Sequence, residues 1–140
     1  MIDQITVFLE NDKGRLAALC RSLGNAGISM HALTVADTAS FGVARIIADR
    51  PQQAYEILNQ QGFRVSLTKV FAVEVSDDAG GLAVLLDAFD EADINVEYAY
   101  CFEVGGDHAI DILRVDLVEE ASAVIARAGF KMMEPHELYA

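Results

Sequence analysis

Two stretches of this chain decide its fold: Glu10-Asn11-Asp12-Lys13-Gly14-Arg15-Leu16 and Ser76-Asp77-Asp78-Ala79-Gly80-Gly81-Leu82. A shift of 66 positions, from Glu10 to Ser76, keeps Asp, Gly and Leu in register, and the apolar positions downstream continue to match. Farther along, Gln61-Gly62-Phe63-Arg64 aligns with Ala128-Gly129-Phe130-Lys131 at a shift of 67. A fixed period of this length is typical of duplicated structural units.

The hydrophobic pattern has the same order in both copies: strand, helix, strand, strand, helix, strand. Apolar and β-branched runs predict strands over 2–9, 28–37, 42–49 and 63–67, then over 70–75, 94–104, 109–116 and 130–133. Helical spacing predicts helices after Asp12 and from Pro51, then over 80–92 and 119–128. We therefore predict an α+β fold of two tandem βαββαβ, ferredoxin-like units, residues 1–68 and 69–140. Each would be an antiparallel sheet of four strands with two helices on one face.

Local signals place the ends of several elements. Asp12 fits the N-cap of the first helix, Pro51 fits the first turn of the second, and Gly62 fits its C-terminal cap. The hairpin turns are predicted at 38–42 and at Gly105-Gly106, and a short link between the units is predicted at 66–69.

The charge is divided unevenly between the copies. The net charge is -12, and residues 71–140 hold three Lys or Arg against sixteen Asp or Glu, whereas residues 1–70 hold seven against six. Such a field repels phosphate backbones, so nucleic acid and anionic membranes are poor partners, although the acidity equally serves solubility alone. No apolar run approaches the roughly 20 residues of a membrane span. Residues 1–10 lack the features of a secretory signal, so we expect a cytoplasmic protein.

With the two loops and the paired apolar segments in view, the sequence resembles the ACT family of small βαββαβ modules, which regulate amino-acid metabolism by binding amino acids. The second part of the resemblance is Gly27-Ile28-Ser29-Met30 and its counterpart Asp93-Ile94-Asn95-Val96. It covers nearly the whole chain, and it implies a stand-alone tandem protein without a catalytic domain.

The resemblance implies a ligand site where the loop after the first strand and the start of the first helix meet the second strand, often between two modules. A loop glycine lets backbone N–H groups approach a carboxylate, and the positive end of the helix favours the negative charge. The implied ligand-binding residues are Asn11, Asp12, Gly14, Arg15, Leu16, Ile28 and Ser29 in the first copy, and Asp77, Asp78, Gly80, Gly81, Leu82, Ile94 and Asn95 in the second. Ser29 departs from the family's common Ile-Asn pair.

Most of these residues also have a purely structural interpretation. Asp12 and Asp78 are more often helix caps than ligand contacts, and the loop glycines serve the turn equally well. Leu16, Leu82, Ile28 and Ile94 are predicted to lie in the core whatever else they do. One site or both could bind a ligand.

The sequence shows no pattern of a catalytic or metal centre. His31, His108 and His136 lack partners at ligand spacing and are predicted at the surface or on strands, and no cofactor is expected. Cys20 and Cys101 are predicted to be small buried hydrophobic residues. The alternating aromatic residues Tyr98, Tyr100 and Phe102 are interpreted as core or interface residues. The remaining enzymatic alternative is a hydrolase whose carboxylate cluster is formed by Glu97, Glu103, Asp107 and Asp111.

Two functions remain from different classes. The first is an amino-acid-binding regulatory sensor, which would act as a homodimer on an enzyme of amino-acid metabolism. The rival is a structural protein–protein interaction module with a vestigial ligand site, which would serve as a regulatory subunit of a metabolic enzyme. A ligand-dependent change in stability would favour the first over the second.

Overall fold

A computed structural model describes residues 1–10, 12–37, 41–103 and 108–138. The chain divides into two compact units, one formed by Asp3–Thr68 and the other by Lys69–Leu138 together with Met1–Ile2. Within the described residues, no helix has the length and apolarity that a membrane crossing requires.

The first unit contains a four-stranded sheet with two helices on one face. Its elements are β1 (Ile2–Glu10), α1 (Arg15–Asn25), β2 (Met30–Asp37), β3 (Phe41–Ala48), α2 (Pro51–Gln60) and the start of β4 (Arg64–Ser76). The strand order is β2-β3-β1-β4, and β3 pairs antiparallel with both β1 and β2. Alternate residues of β1, such as Ile5 and Val7, pack with Leu19 and Leu23 of α1 in one core.

The second unit repeats this arrangement. Its elements are the rest of β4, α3 (Gly81–Glu91), β5 (Val96–Glu103), β6 (His108–Val115), α4 (Val118–Arg127), β7 (Lys131–Met132) and α5 (Pro135–Leu138). β6 pairs antiparallel with both β4 and β5, and β7 pairs with the other side of β4. Val73 of β4, Leu85 and Phe89 of α3, and Ile125 of α4 lie in its core. The α+β fold of paired βαββαβ units is therefore confirmed.

Two connections differ from the sequence expectation. The two units divide between Thr68 and Lys69, within the predicted link at 66–69, but the predicted break between the strands over 63–67 and 70–75 is wrong, because β4 runs without interruption from Arg64 to Ser76. The segment has no Gly or Pro to interrupt a strand, and from Arg64 to Leu67 the side chains alternate between exposed and half-buried. The last strand is also shorter than predicted, and the short helix α5 follows it.

The starts of α1 and α3 correct the N-cap prediction. Gly14 and Gly80 are the N-caps, with φ of 89° and 85°, and neither helix has a side-chain cap hydrogen bond. Asp12 and Asp78 therefore lie before the cap, where their backbone carbonyls accept from the N–H groups of Arg15 and Gly81. The left-handed conformation explains the choice of glycine, since other residues adopt it at a cost.

Other local signals are confirmed. Pro51 is in the first turn of α2, and Gly62, with φ of 86°, follows its C-cap. The hairpin turn at Gly105-Gly106 and most of the turn at 38–42 lie outside the described residues.

Candidate functional site

Each unit has a cleft at one end of its sheet. It lies where β1 leads into the loop before α1, or where β4 leads into the loop before α3. The second-unit cleft has a volume of about 430 Å³, and all five loop residues that the sequence predicted line it: Asp77, Asp78, Gly80, Gly81 and Leu82. The first-unit cleft has a volume of about 290 Å³ and contains only Arg15 of the predicted residues. Asn11 lies outside the described residues.

The second-unit loop is tightly closed against the end of β4. Ser76 Oγ accepts from the Asp78 N–H at 3.2 Å and donates to Asp78 Oδ2 at 3.0 Å. A Cβ at Gly81 would lie 2.3 Å from the Ser76 carbonyl oxygen, so only glycine fits there. Val84 is the first residue of α3 whose N–H bonds to the Gly80 carbonyl, at 3.2 Å. The preceding N–H groups at Leu82 and Ala83 therefore have no intrahelical partner, as at any helix N-terminus.

Asp111 is a charged residue of this cleft that the sequence analysis did not single out as a binding residue. It lies on β6 on the same face as Leu113 and Val115, which belong to the core, and its register neighbours are Val73 on β4 and Cys101 on β5. Its exposed fraction is 3%, and among the described residues no hydrogen bond or ion pair holds its carboxyl. Burial raises the pKa of this carboxyl above its ordinary value of 3.8.

The sequence contained a signal for Asp111. It interrupts the apolar run Ala109-Ile110-Asp111-Ile112-Leu113, and the shift of 67 that aligns the later part of the repeats places it over Ala44. Ala44 is fully buried in the core of the first unit. A charged residue in place of a core alanine is costly for folding, so it is a reason to look for a role in binding.

Two of the four predicted core residues are exposed. Ile28 and Ile94 are 5% exposed and lie in the two cores, as predicted, whereas Leu16 and Leu82 are 41% and 36% exposed. Each leucine is the second residue of its helix and lies on the exposed side, because the helix begins later than the predicted cap implied. Leu82 lines the second-unit cleft instead of the core.

Within one unit, the second-strand residues lie far from the loop. Asn95 donates its backbone N–H to Asp116 Oδ1 at 3.1 Å, just past the end of β6, whereas Ser76 pairs with His108 at its beginning. The eight residues of β6 separate these ends, which corresponds to roughly 25 Å. Ser29 is placed in the same way, because it pairs with Asp49 at the far end of β3. Ile28, Ser29, Ile94 and Asn95 therefore do not line either cleft.

The remaining candidate groups do not form a centre. Cys20 is half-buried and Cys101 is exposed, so the prediction that Cys101 is buried is wrong. His31, His108 and His136 are at the surface, as predicted. Glu97 lies 3.6 Å from the Arg114 guanidinium, separate from Asp111, and Asp107 is outside the described residues. Among the described residues, no three metal-ligating side chains come together.

The comparison with protein families agrees with this architecture. The model of the family described as ACT domain pair matches residues 1–140. This chain belongs to the ACT domain pair family. No curated protein matches it.

Solved structures share the fold of this ACT domain pair. Protein BT0572 from Bacteroides thetaiotaomicron has a TM-score of 0.92 and 28% identity, over 98% of this chain and 94% of that one. The ligand-free regulatory subunit of aspartate kinase from Thermus thermophilus has a TM-score of 0.64 and 18% identity, over 91% and 92% of the two chains. The equivalent subunit from Thermus flavus has the same TM-score and identity, over 99% and 92%.

Proposed function

We propose that this ACT domain pair is a regulatory protein that binds a free amino acid in its second-unit cleft and has no catalytic activity of its own. The observation that carries the proposal is the buried, unpaired carboxyl of Asp111 in the same cleft as the N-terminal end of α3. A free amino acid has one negative and one positive group. The cleft offers a partner for each.

The carboxylate of the amino acid is assigned to the start of α3. The backbone N–H groups of Leu82 and Ala83 have no intrahelical partner, and the helix dipole favours an anion at this end. Gly80 and Gly81 have no side chain to block the approach of the ligand to the backbone.

The α-ammonium group is assigned to Asp111. A cation beside a buried carboxylate offsets the cost of its burial, and charge-assisted hydrogen bonds between such groups are stronger than neutral ones. Asp77 and Asp78 add negative charge to the cleft, and none of the described residues that line it is a lysine or an arginine. The volume of about 430 Å³ is in the range of small-molecule sites.

Regulation requires the ligand to bind one state of a partner complex better than another. We propose an enzyme of amino-acid metabolism as the partner, because the regulatory subunits of aspartate kinase share this fold. In the same proposal, residues 1–68 and 69–140 are the two ACT units and two chains form a homodimer. The second-strand residues Ser29 and Asn95 then meet a ligand only across the interface between the two chains.

The test is a thermal-shift screen of the full chain against the twenty amino acids at millimolar concentration. A ligand at about 100 times its Kd adds about 2.7 kcal/mol to the free energy of unfolding, which raises the Tm by several degrees. We expect at least one amino acid to do so, and Asp111→Asn to remove the shift. Asp90→Asn is the matched control, because Asp90 is an exposed residue of α3 outside the cleft and the charge change is the same.

Two results would contradict the proposal. If no amino acid raises the Tm of the wild-type chain, amino-acid binding is abandoned and the interaction-module function takes its place. If a shift is observed but persists in Asp111→Asn, the ligand binds elsewhere and the assigned site is wrong.

A further inference from the structure

The first-unit cleft differs chemically from the second and is basic. It lies where β1 ends and β4 begins, and it is lined by Phe8, Leu9, Glu10, Arg15, Phe41, Gly62 and Arg64. Two guanidinium groups face one carboxylate, so the lining has a net positive charge. The volume of about 290 Å³ limits a ligand to a small metabolite.

Both arginines are held by aromatic rings. The guanidinium carbon of Arg15, at the start of α1, lies 4.6 Å from the centroid of the Phe63 ring, and that of Arg64 lies 5.9 Å from the Phe8 ring. Neither forms an ion pair with any residue in the described ranges. Arg15 Nε is buried and lacks a hydrogen-bond partner among the same residues. A buried donor without a partner costs free energy, and an anion would satisfy it.

The cleft also offers apolar surface. Phe8 and Phe41 are 45% and 42% exposed, and their ring centroids are 6.3 Å apart with an interplanar angle of 55°. Exposed aromatic rings beside a charged group are typical of sites for ligands with an apolar body and one polar end.

The second unit has none of these features at the equivalent positions. Glu74 takes the place of Phe8, Gly81 that of Arg15, His108 that of Phe41 and Lys131 that of Arg64. There, His108 lies 3.5 Å from Glu74, and Lys131 lies 3.7 Å from Glu137. The basic aromatic cleft is therefore specific to the first unit and does not follow from the fold alone.

We propose that the first-unit cleft is a separate site for a small organic carboxylate that has an apolar body and no α-ammonium group. The guanidinium groups of Arg15 and Arg64 bind the carboxylate, since the planar fork of arginine matches its two oxygens. The rings of Phe8 and Phe41 contact the apolar body. The protein thus responds to two chemical classes, an amino acid at one unit and an organic acid at the other.

Three related compounds test the ligand class by isothermal titration of the full chain: 3-phenylpropanoate, its neutral amide, and phenylalanine, which adds the α-ammonium group. We expect 3-phenylpropanoate to bind at least tenfold more tightly than either of the others, and its affinity to decrease with ionic strength. Equal binding of the amide would overturn recognition by charge. Tighter binding of phenylalanine would overturn the ligand class, because the cleft would then be an amino-acid site.

Single substitutions test the residues. Arg64→Gln and Arg15→Gln are each expected to weaken 3-phenylpropanoate binding at least tenfold, and Phe8→Ala is expected to weaken it several-fold. Arg21→Gln is the matched control, because Arg21 is exposed on α1 outside the cleft and loses the same charge. The Tm of each unliganded variant separates lost binding from lost folding, and Arg64 is exposed, so its variant should fold. Unchanged binding in a folded Arg64→Gln variant would overturn the site.

The proposals of this site and of the amino-acid site can be tested independently of each other. Asp111→Asn should leave 3-phenylpropanoate binding unchanged, and Arg64→Gln should leave the amino-acid thermal shift unchanged. If Asp111→Asn weakened binding of the organic acid as much as Arg64→Gln does, the proposal of a separate site would be overturned.

Discussion

The two units place different residues on the same backbone frame at the end of the sheet. Where the first unit has Ala44 in its core and Arg15 at the start of α1, the second has the buried Asp111 and the closely packed Gly81. One cleft is therefore basic and the other acidic. The two copies share the apolar positions that form the fold but differ in the residues that line the clefts. The chemistry of a cleft can therefore differ while the fold stays the same.

The largest change in stability is expected when the buried carboxyl of the second unit is introduced at the equivalent position of the first. Ala44 is fully buried among apolar side chains and lines neither cleft, so Ala44→Asp buries a charge without access to a ligand or to solvent. We expect the free energy of unfolding to decrease by about 3 kcal/mol or more. Urea-induced unfolding measures it.

The reciprocal variant is the control for this experiment. Asp111→Ala gives the second unit the residue of the first, and it should not destabilise the protein. If Ala44→Asp were as stable as the wild type, the distinction between Ala44, enclosed in its core, and Asp111, which lines a cleft, would be wrong.

The loops can be compared through Gly81 and Arg15. A Cβ at Gly81 would overlap the Ser76 carbonyl oxygen, so Gly81→Ala should lower the free energy of unfolding by about 1–3 kcal/mol. Arg15→Ala, at the equivalent position, removes a cation–π contact and should cost only about 0.5–1 kcal/mol. Chemical unfolding of both variants decides the order, and equal losses would show that the two loops are packed alike.

The smallest expected effect is the change in stability caused by Asp111→Asn, and it tests whether the carboxyl of Asp111 is buried as a charge. Because burial raises the pKa of Asp111 above 3.8, the folded protein binds this proton more tightly than the unfolded chain does. The stability that the protonated form contributes is fully present below pH 3.8 and is lost as the pH rises through the folded pKa. At pH 7, Asp111→Asn should therefore raise the free energy of unfolding by about 1 kcal/mol.

Unfolding experiments between pH 3.5 and pH 7.5 check this prediction. The gain from Asp111→Asn should shrink as the pH falls, whereas Asp90→Asn, on the surface of α3, should change stability by less than about 0.5 kcal/mol at any pH. A gain that does not depend on pH would mean that the charge of Asp111 is not its cause.

Much of the fold could be predicted from local chemistry. The spacing of Leu19 and Leu23 predicted α1, Pro51 and Gly62 marked the ends of α2, and the repeat predicted the second unit from the first. Errors arose where one residue type serves two purposes. An aspartate before a helix resembles an N-cap, yet glycine in the left-handed conformation begins both α1 and α3, and the outward leucines Leu16 and Leu82 resemble core residues.

The candidate clefts were harder to predict. The loop over 77–82 was found from its sequence because its residues are contiguous and its glycines are conspicuous. Asp111 in the second-unit cleft, and Phe41 and Arg64 in the first-unit cleft, come from other strands, and only strand pairing brings each of them to its cleft.

By itself, the sequence determined the duplicated α+β fold, the apolar faces and the unequal division of charge, because these depend on periodicity and composition along the chain. Only the tertiary structure decided that β4 is continuous, that Asp111 is buried beside the second loop, and that Arg15 and Arg64 share one cleft. These features depend on strand register and on the distance of each side chain from solvent. Residues far apart in the chain set both quantities, so no local pattern encodes them.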